Sequence, residues 1–167
     1  MPGLPMGSVS IQVAAEARGR VVVVRGTWQP VPDHAPLPVV VGTDGSPESA
    51  SAVAFALEEA ALRDTDLIAV CALADEAGLL GTAGRIRQEF EELIARRQRD
   101  HPGVNVRRQV SEGSARAALR EADAAAQMIV VGARGRGGIE GLPLGSVSLA
   151  VLTSASSPVG VHAGDPA

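Results

Sequence analysis

Lysine is absent from this sequence; all fifteen basic residues are arginine. That excludes any mechanism built on a lysine, including a Schiff base and the lysine of a P-loop. Tyrosine is absent too, and aromatic residues make up only 2% of the chain. An aliphatic core is therefore expected, and a base-stacking surface for nucleic acid is not. The formal net charge of −4 argues against a polyanionic partner. Cys71 is the single cysteine, so no intrachain disulfide can form. It sits in the apolar run Leu67-Ile68-Ala69-Val70-Cys71-Ala72-Leu73, where it reads as a small buried hydrophobe. No apolar run reaches the ~18 residues of a membrane span. The N-terminus has no charged segment followed by an apolar one, so no signal peptide is expected. These readings together suggest a cytoplasmic protein without a membrane or nucleic-acid partner.

What remains is an aliphatic chain of 167 residues, 46% apolar, long enough for one domain of ordinary size. Val39-Val40-Val41 is a β-branched run that ends at Gly42-Thr43-Asp44-Gly45, which reads as a buried strand entering a turn. Ser46-Pro47-Glu48 then supplies an N-cap, a first-turn proline and an acid for a helix running to about Arg63. Leu67–Leu73 is a second strand. After a loop at 78–84, Ile86, Phe90, Leu93 and Ile94 recur at helical spacing, and His101-Pro102-Gly103 stops that helix. Val104, Val106 and Val110 suggest a third strand, and Ser114 caps a helix to about Ala125. Met128–Val131 is a fourth strand ending at Gly132, Ser146–Ser154 a helix, and Val159–Val161 a last strand. Strands alternating with helices predict an α/β fold: a five-stranded parallel sheet with helices on both faces, Rossmann-like. Such sheets bind ligands beyond the carboxyl ends of their strands, where strand order reverses. The loops 42–46 and 132–146 are the two to watch.

The first residues repeat the last ones. Leu4-Pro5-Met6-Gly7-Ser8-Val9-Ser10 matches Leu142-Pro143-Leu144-Gly145-Ser146-Val147-Ser148 at an offset of 138, and Val13, Ala17, Val21 and Val23 match Val151, Ala155, Val159 and Val161. The offset is about one domain. Residues 1–25 thus read as the C-terminal remnant of a preceding repeat, 26–38 as a proline-rich linker and 39–163 as the domain. Val21–Val24 is then the repeat's own last strand. Left unpaired it would be an aggregation edge, so it is expected antiparallel beside Val159–Val161, within the chain or from a second chain, with Ser8–Ala17 helical nearby.

The richest segment is Gly132-Ala133-Arg134-Gly135-Arg136-Gly137-Gly138-Ile139-Glu140-Gly141-Leu142-Pro143-Leu144-Gly145-Ser146. Glycines let backbone amides approach a ligand, and successive amides form anion-binding concavities. Gly145-Ser146 lies at a helix start, where free N–H groups and the dipole favour phosphate. The Ser146 hydroxyl has three open roles: capping the helix, donating to a phosphate or helping to hold a metal. The segment is not a P-loop, and its G-x2-G spacing is not the G-x-G-x-x-G of dinucleotide folds.

Gly132, Gly135, Gly145 and Ser146 do fill the pattern G-x2-G-x9-G-[ST]. With the opening Val41-Gly42-Thr43-Asp44-Gly45-Ser46 and the closing Gly-Ser-Val-Ser helix, the chain resembles the ATP-binding branch of the universal stress protein family from Val39 to His162. The resemblance implies an adenine nucleotide alpha hydrolase-like fold that binds ATP, with Mg²⁺ or Mn²⁺ bridging the phosphates. It implies Asp44 near the ribose and adenine, with Gly42 and Thr43 beside it; as a plain Asx turn Asp44 would do no more than shape the loop. It implies the Ala72 backbone at the adenine edge, Val131 packed on the base, and Gly132 and Gly135 on ribose and phosphates. Gly145, Ser146 and Val147 would meet the terminal phosphates, with charge from Arg134 and Arg136 if these are not simply solvated. It also implies pairing through the last strand, as a homodimer or an intrachain pseudo-dimer. Gly160 departs from the family's branched residue there and is expected to weaken that edge.

The three histidines lie in a linker, a helix stop and a chain end, without metal-ligand spacing. Three functions stay open: an ATP-binding regulatory module of the stress response, a slow Mg-dependent ATPase or phosphotransfer enzyme, and a structural pairing module with an empty site. The lack of lysine and of an adjacent histidine leaves few groups to activate water and favours binding without efficient turnover.

Overall fold

The computed structural model describes residues 7–25, 36–73, 82–136 and 142–163. The start of the repeat (1–6), the linker positions 26–35 with Trp28 and His34, the loop at 74–81 and residues 137–141 of the glycine-rich segment lie outside the described residues. In chain order the elements are α1 (Ser8–Glu16), β1 (Gly19–Val23), β2 (Val39–Gly42), a 3-10 turn (Pro47–Ser49), α2 (Ala50–Leu62), β3 (Leu67–Leu73), α3 (Thr82–Gln98), β4 (Val106–Glu112), α4 (Ala115–Asp123), β5 (Met128–Gly132), α5 (Ser146–Ser154) and β6 (Val159–Ala163).

The six strands form one sheet in the order β1-β6-β5-β2-β3-β4. The five strands of the domain are parallel, and β1 joins antiparallel to β6. Cores on both faces of the sheet explain why all three valines of β2 are buried. Val39 and Val41 enter a core with α2 and α3, which contribute Phe55, Leu57, Phe90 and Ile94. Val40 enters a second core with α4, α5 and α1, among Leu119, Val151, Leu152 and Ala14. β5 divides likewise, Met128 and Val130 to the first core and Ile129 and Val131 to the second. Cys71 is fully buried in the first core, as a free thiol. Among the described residues no helix is long and apolar enough to cross a membrane.

The register of β1 on β6 pairs Val21 with Val161, Val22 with Gly160 and Val23 with Val159. Under the offset of 138, Val21 corresponds to Val159 and Val23 to Val161. Exchanging the two repeats therefore maps the pairing onto itself, with Val22 opposite its own counterpart, Gly160. β1 begins earlier than expected, at Gly19, and stops at Val23, because β6 runs on to Ala163 and offers partners there. Arg20 secures the strand. Its guanidinium bonds both carboxylate oxygens of Glu58 on α2 and lies 4.9 Å over the Phe55 ring. These exposed contacts are together worth about 1 kcal/mol.

Gly160 does not interrupt the last strand, where it pairs with Val22 on one side and Val130 on the other. It is buried between β1 and β5, and a Cβ there would come within 2.7 Å of Met128 Cε and 2.8 Å of Phe55 Cε1. Those side chains fill the space that a branched residue would need. The capping expectations also change. Ser46 precedes a 3-10 turn rather than α2 itself and makes no side-chain cap bond. The Ser46 carbonyl instead accepts the Ser49 amide at 3.1 Å and the Ser49 hydroxyl at 2.8 Å. Ser114 stands at the N-cap of α4, again without a side-chain cap bond; its carbonyl accepts the amides of Ala117 and Ala118.

Candidate functional site

The chain lays β3 and β4 to one side of β2 and then returns to place β5 on the other, so strand order reverses between β2 and β5. Gly42 pairs with Val131 there. A cavity of about 620 Å³ opens at this point, and its wall includes all the site residues expected from the sequence: Gly42, Thr43, Asp44, Ala72, Val131, Gly132, Arg134, Gly135, Arg136, Gly145, Ser146 and Val147. Thr82 and Ile86 of α3, Leu119 of α4, Leu144 and Ser148 also line it. The sequence reading missed these; Ile86 was visible only as an apolar helical position.

The floor is backbone. The β2–β3 ladder ends at Gly42 opposite Val70, while β3 continues to Leu73. The Val70 carbonyl faces β2 and accepts the Thr43 amide at 3.0 Å. Peptide groups alternate sides along a strand, so Ala72, two residues further, presents its N–H and C=O to the same side, beyond the end of β2. Thr43 is buried and turned inward. Its hydroxyl is 2.6 Å from Ser49 Oγ and accepts the Gly45 amide at 3.1 Å. Because Ser49 donates to the Ser46 carbonyl, Thr43 donates to Ser49. This hydroxyl shapes the turn, and the contribution of Thr43 to the wall is not a free hydroxyl.

Gly45 has φ +75°, and a Cβ there would lie 2.8 Å from the Phe90 amide nitrogen. The glycine thus brings the Asp44–Gly45 turn against the backbone of α3. Asp44 does form the Asx turn, accepting the Ser46 amide on Oδ1 at 2.9 Å. It also accepts the Arg136 amide on Oδ2 at 2.5 Å. Burial opposes its charge, but hydrogen bonds from Ser46 and from the Arg136 amide, with the Arg136 charge, outweigh burial and hold the carboxyl below the usual carboxylate range. Burial, and then the Asp44 charge, push the Cys71 thiol up to about 11. A thiol protonated at neutral pH is a poor nucleophile.

The glycine-rich segment is anchored at both described ends. The Ala133 amide donates to the His162 carbonyl at 2.9 Å, and Ser148 Oγ donates to the Gly132 carbonyl at 2.6 Å. Gly145 is the N-cap of α5, and its amide donates to the Ala133 carbonyl at 2.7 Å. That amide is therefore committed, and the free N–H groups at this helix start are those of the first turn, from Ser146 onward. Ser146 is exposed and is the first helical residue, so the capping role is not realised. Gly135 packs so closely that a Cβ would fall 2.8 Å from Asp44 Oδ2. Arg134 is exposed. Arg136 is not simply solvated: one terminal nitrogen donates to the Asp44 carbonyl at 3.0 Å and to Glu89 of α3 at 2.5 Å.

A mostly parallel sheet with a core on each face, and with its cavity at the reversal of strand order, is a Rossmann-like α/β fold, shared with a solved universal stress protein from Archaeoglobus fulgidus. The chain belongs to the universal stress protein family, which it matches over residues 37–161. It is 41% identical to a universal stress protein of Mycolicibacterium smegmatis over 162 residues, covering 92% of this chain and 54% of the relative. The chain spans about half the length of the curated relatives it matches. The crystal structure of a universal stress protein from Archaeoglobus fulgidus shares 25% identity at a TM-score of 0.65, covering 96% of this chain and 55% of that one. A universal stress protein in complex with cAMP shares 28% identity at a TM-score of 0.57, covering 78% of this chain and all of the other.

Proposed function

We propose that this chain binds ATP and acts as a regulatory module of the stress response, with efficient turnover no part of its role. The observation that carries this reading is the convergence of the G-x2-G-x9-G-[ST] segment, the Asp44 turn and the start of α5 on one cavity of about 620 Å³. Adenine would lie between Val131 and the open backbone edge at Ala72. Asp44 would meet the ribose beside Gly42 and Thr43. The phosphates would follow Gly132 and Gly135 to the amides of the first turn of α5, where the helix dipole favours anions. A Mg²⁺ or Mn²⁺ ion would neutralise phosphate charge, with the Ser146 hydroxyl as the protein's contribution. Among the described residues no three His, Cys, Asp or Glu side chains cluster as metal ligands, so phosphates and water would complete its shell. The relative bound to cAMP supports an adenine nucleotide at this kind of site.

The pairing surface is the second part of the proposal. The two-fold symmetric register of β1 on β6 supports reading residues 1–25 as the end of a preceding repeat that supplies a pseudo-dimer partner within the chain. Nucleotide state would be passed on through this face or through a partner, in a cytoplasmic setting. The test of binding against turnover is steady-state hydrolysis with Mg²⁺. The rate is expected far below the ~1–10³ s⁻¹ of ordinary enzymes. A rate inside that range that is lost in Ser146→Ala would establish an ATPase instead.

A further inference from the structure

Arg136 is bound in a way the nucleotide reading does not require. Its amide is held by the Asp44 carboxylate, and its guanidinium bridges the Asp44 carbonyl and Glu89, 47 positions earlier on α3. Glu89 precedes Phe90, the residue whose backbone lies against Gly45. One arginine thus ties the glycine-rich segment, the Asp44 turn and α3 together at the cavity wall. A guanidinium beside a carboxylate has its charge partly offset, and the terminal nitrogen that reaches both Glu89 and the Asp44 carbonyl has its donors committed. The Arg136–Glu89 pair is about one-third exposed on each side, so its net worth is small and a more highly charged anion can displace it.

Resting on the proposed nucleotide site, we infer that Glu89 sets the phosphate preference of the cavity by competing with the ligand for Arg136. With Glu89 in place the loop's cation is withheld. A triphosphate, with β- and γ-phosphate oxygens that a monophosphate lacks, draws Arg136 away from Glu89 and gains a charge-assisted contact; a monophosphate draws it less. Release of Arg136 also removes its bridge from the Asp44 turn to α3, leaving the Gly45–Phe90 packing, which makes α3 the element that reports a bound triphosphate.

The test is calorimetric titration of MgATP and of AMP into four proteins: wild type, Glu89→Gln, Arg136→Ala and the double variant, each checked for an unchanged circular dichroism spectrum. Glu89→Gln is expected to tighten MgATP binding roughly two- to fivefold, the range of an exposed ion pair, and AMP binding by less. In the Arg136→Ala background the same substitution is expected to change nothing, because the coupling runs through that arginine. Unchanged or weaker MgATP binding in Glu89→Gln would overturn the inference while leaving the nucleotide site standing. So would an equal gain with Arg136 absent, which would mark a general field effect of the lost charge. If wild type binds neither nucleotide, the nucleotide reading falls and this inference with it.

Discussion

The two Gly-Ser helices of this chain share nearly the same backbone and differ in everything around it. α1 starts after Gly7 at φ −65°, ψ 149°, and α5 after Gly145 at φ −71°, ψ 159°. Both end at an extended alanine, Ala17 or Ala155, whose amide returns to Val13 or Val151. Yet Val151 is 5% exposed and Val13 is 49% exposed. A Cβ at Gly7 would meet nothing within 4 Å, whereas Gly145 lies against the backbone of residues 133–135. The same local sequence thus makes the same helix start twice and a cavity once. The difference is supplied by β2, β3 and β5, which bring Asp44, Ala72, Gly132 and Gly135 to α5 and, among the described residues, not to α1. A helix N-terminus contributes donors, but the walls that exclude water and orient a ligand come from other strands.

The largest expected effect that would break this comparison is at the glycines. Gly135→Val would force the Asp44 carboxylate aside and narrow the phosphate path, so ATP binding is expected to be lost while the fold survives. Gly7→Val is expected to leave binding unchanged. Calorimetry on both checks this, and retained affinity in Gly135→Val would remove Gly135 from the site.

Removal of residues 1–25 is the next largest. Ala14 is buried, and Ile11, Val21 and Val23 pack on the second core. Their loss is expected to cost on the order of 3 kcal/mol and to expose the β6 edge, raising self-association in sedimentation. A shortened chain that stays monomeric and equally stable would contradict the pairing role of β1.

A smaller effect is expected at the Asp44 turn, which has no counterpart within residues 1–25. The folded-state pKa of Asp44 is lowered, so its contribution is complete above the ordinary carboxylate value, ~3.9, and is lost as pH falls through the lower folded value. Asp44→Asn sets an amide against the Ser46 and Arg136 N–H groups and is expected to cost about 1–3 kcal/mol at pH 7. The variant should also show a shallower loss of stability on acidification in denaturant titrations from pH 7 to pH 2.

Much of this was legible from residue order. The valine runs and glycine stops located β2 and β5, and an unbroken apolar run located β3, because buried parallel strands are short and apolar. The repeat located β1, because an aliphatic strand without a partner is costly. The cavity residues were legible because two loops, each leaving the carboxyl end of a neighbouring strand, converge at the reversal of strand order. What was not legible depends on packing between distant segments. Nothing in the spacing of α3 marks Glu89 as the partner of Arg136, and Gly160 looked like a defect until Met128 and Phe55 were seen to fill its place. Ser46 was read as the cap of α2 for the same reason: only the folded turn shows that a 3-10 turn intervenes and that Ser46 makes no side-chain cap bond.

The central claim is that one of the two Gly-Ser helices, and not both, completes a nucleotide site. Titration of MgATP into the nucleotide-free wild-type chain, with the active protein concentration fixed independently, tests it most directly. Saturable binding at one ATP per chain is the predicted result; no binding, or two equivalent sites per chain, would contradict the account.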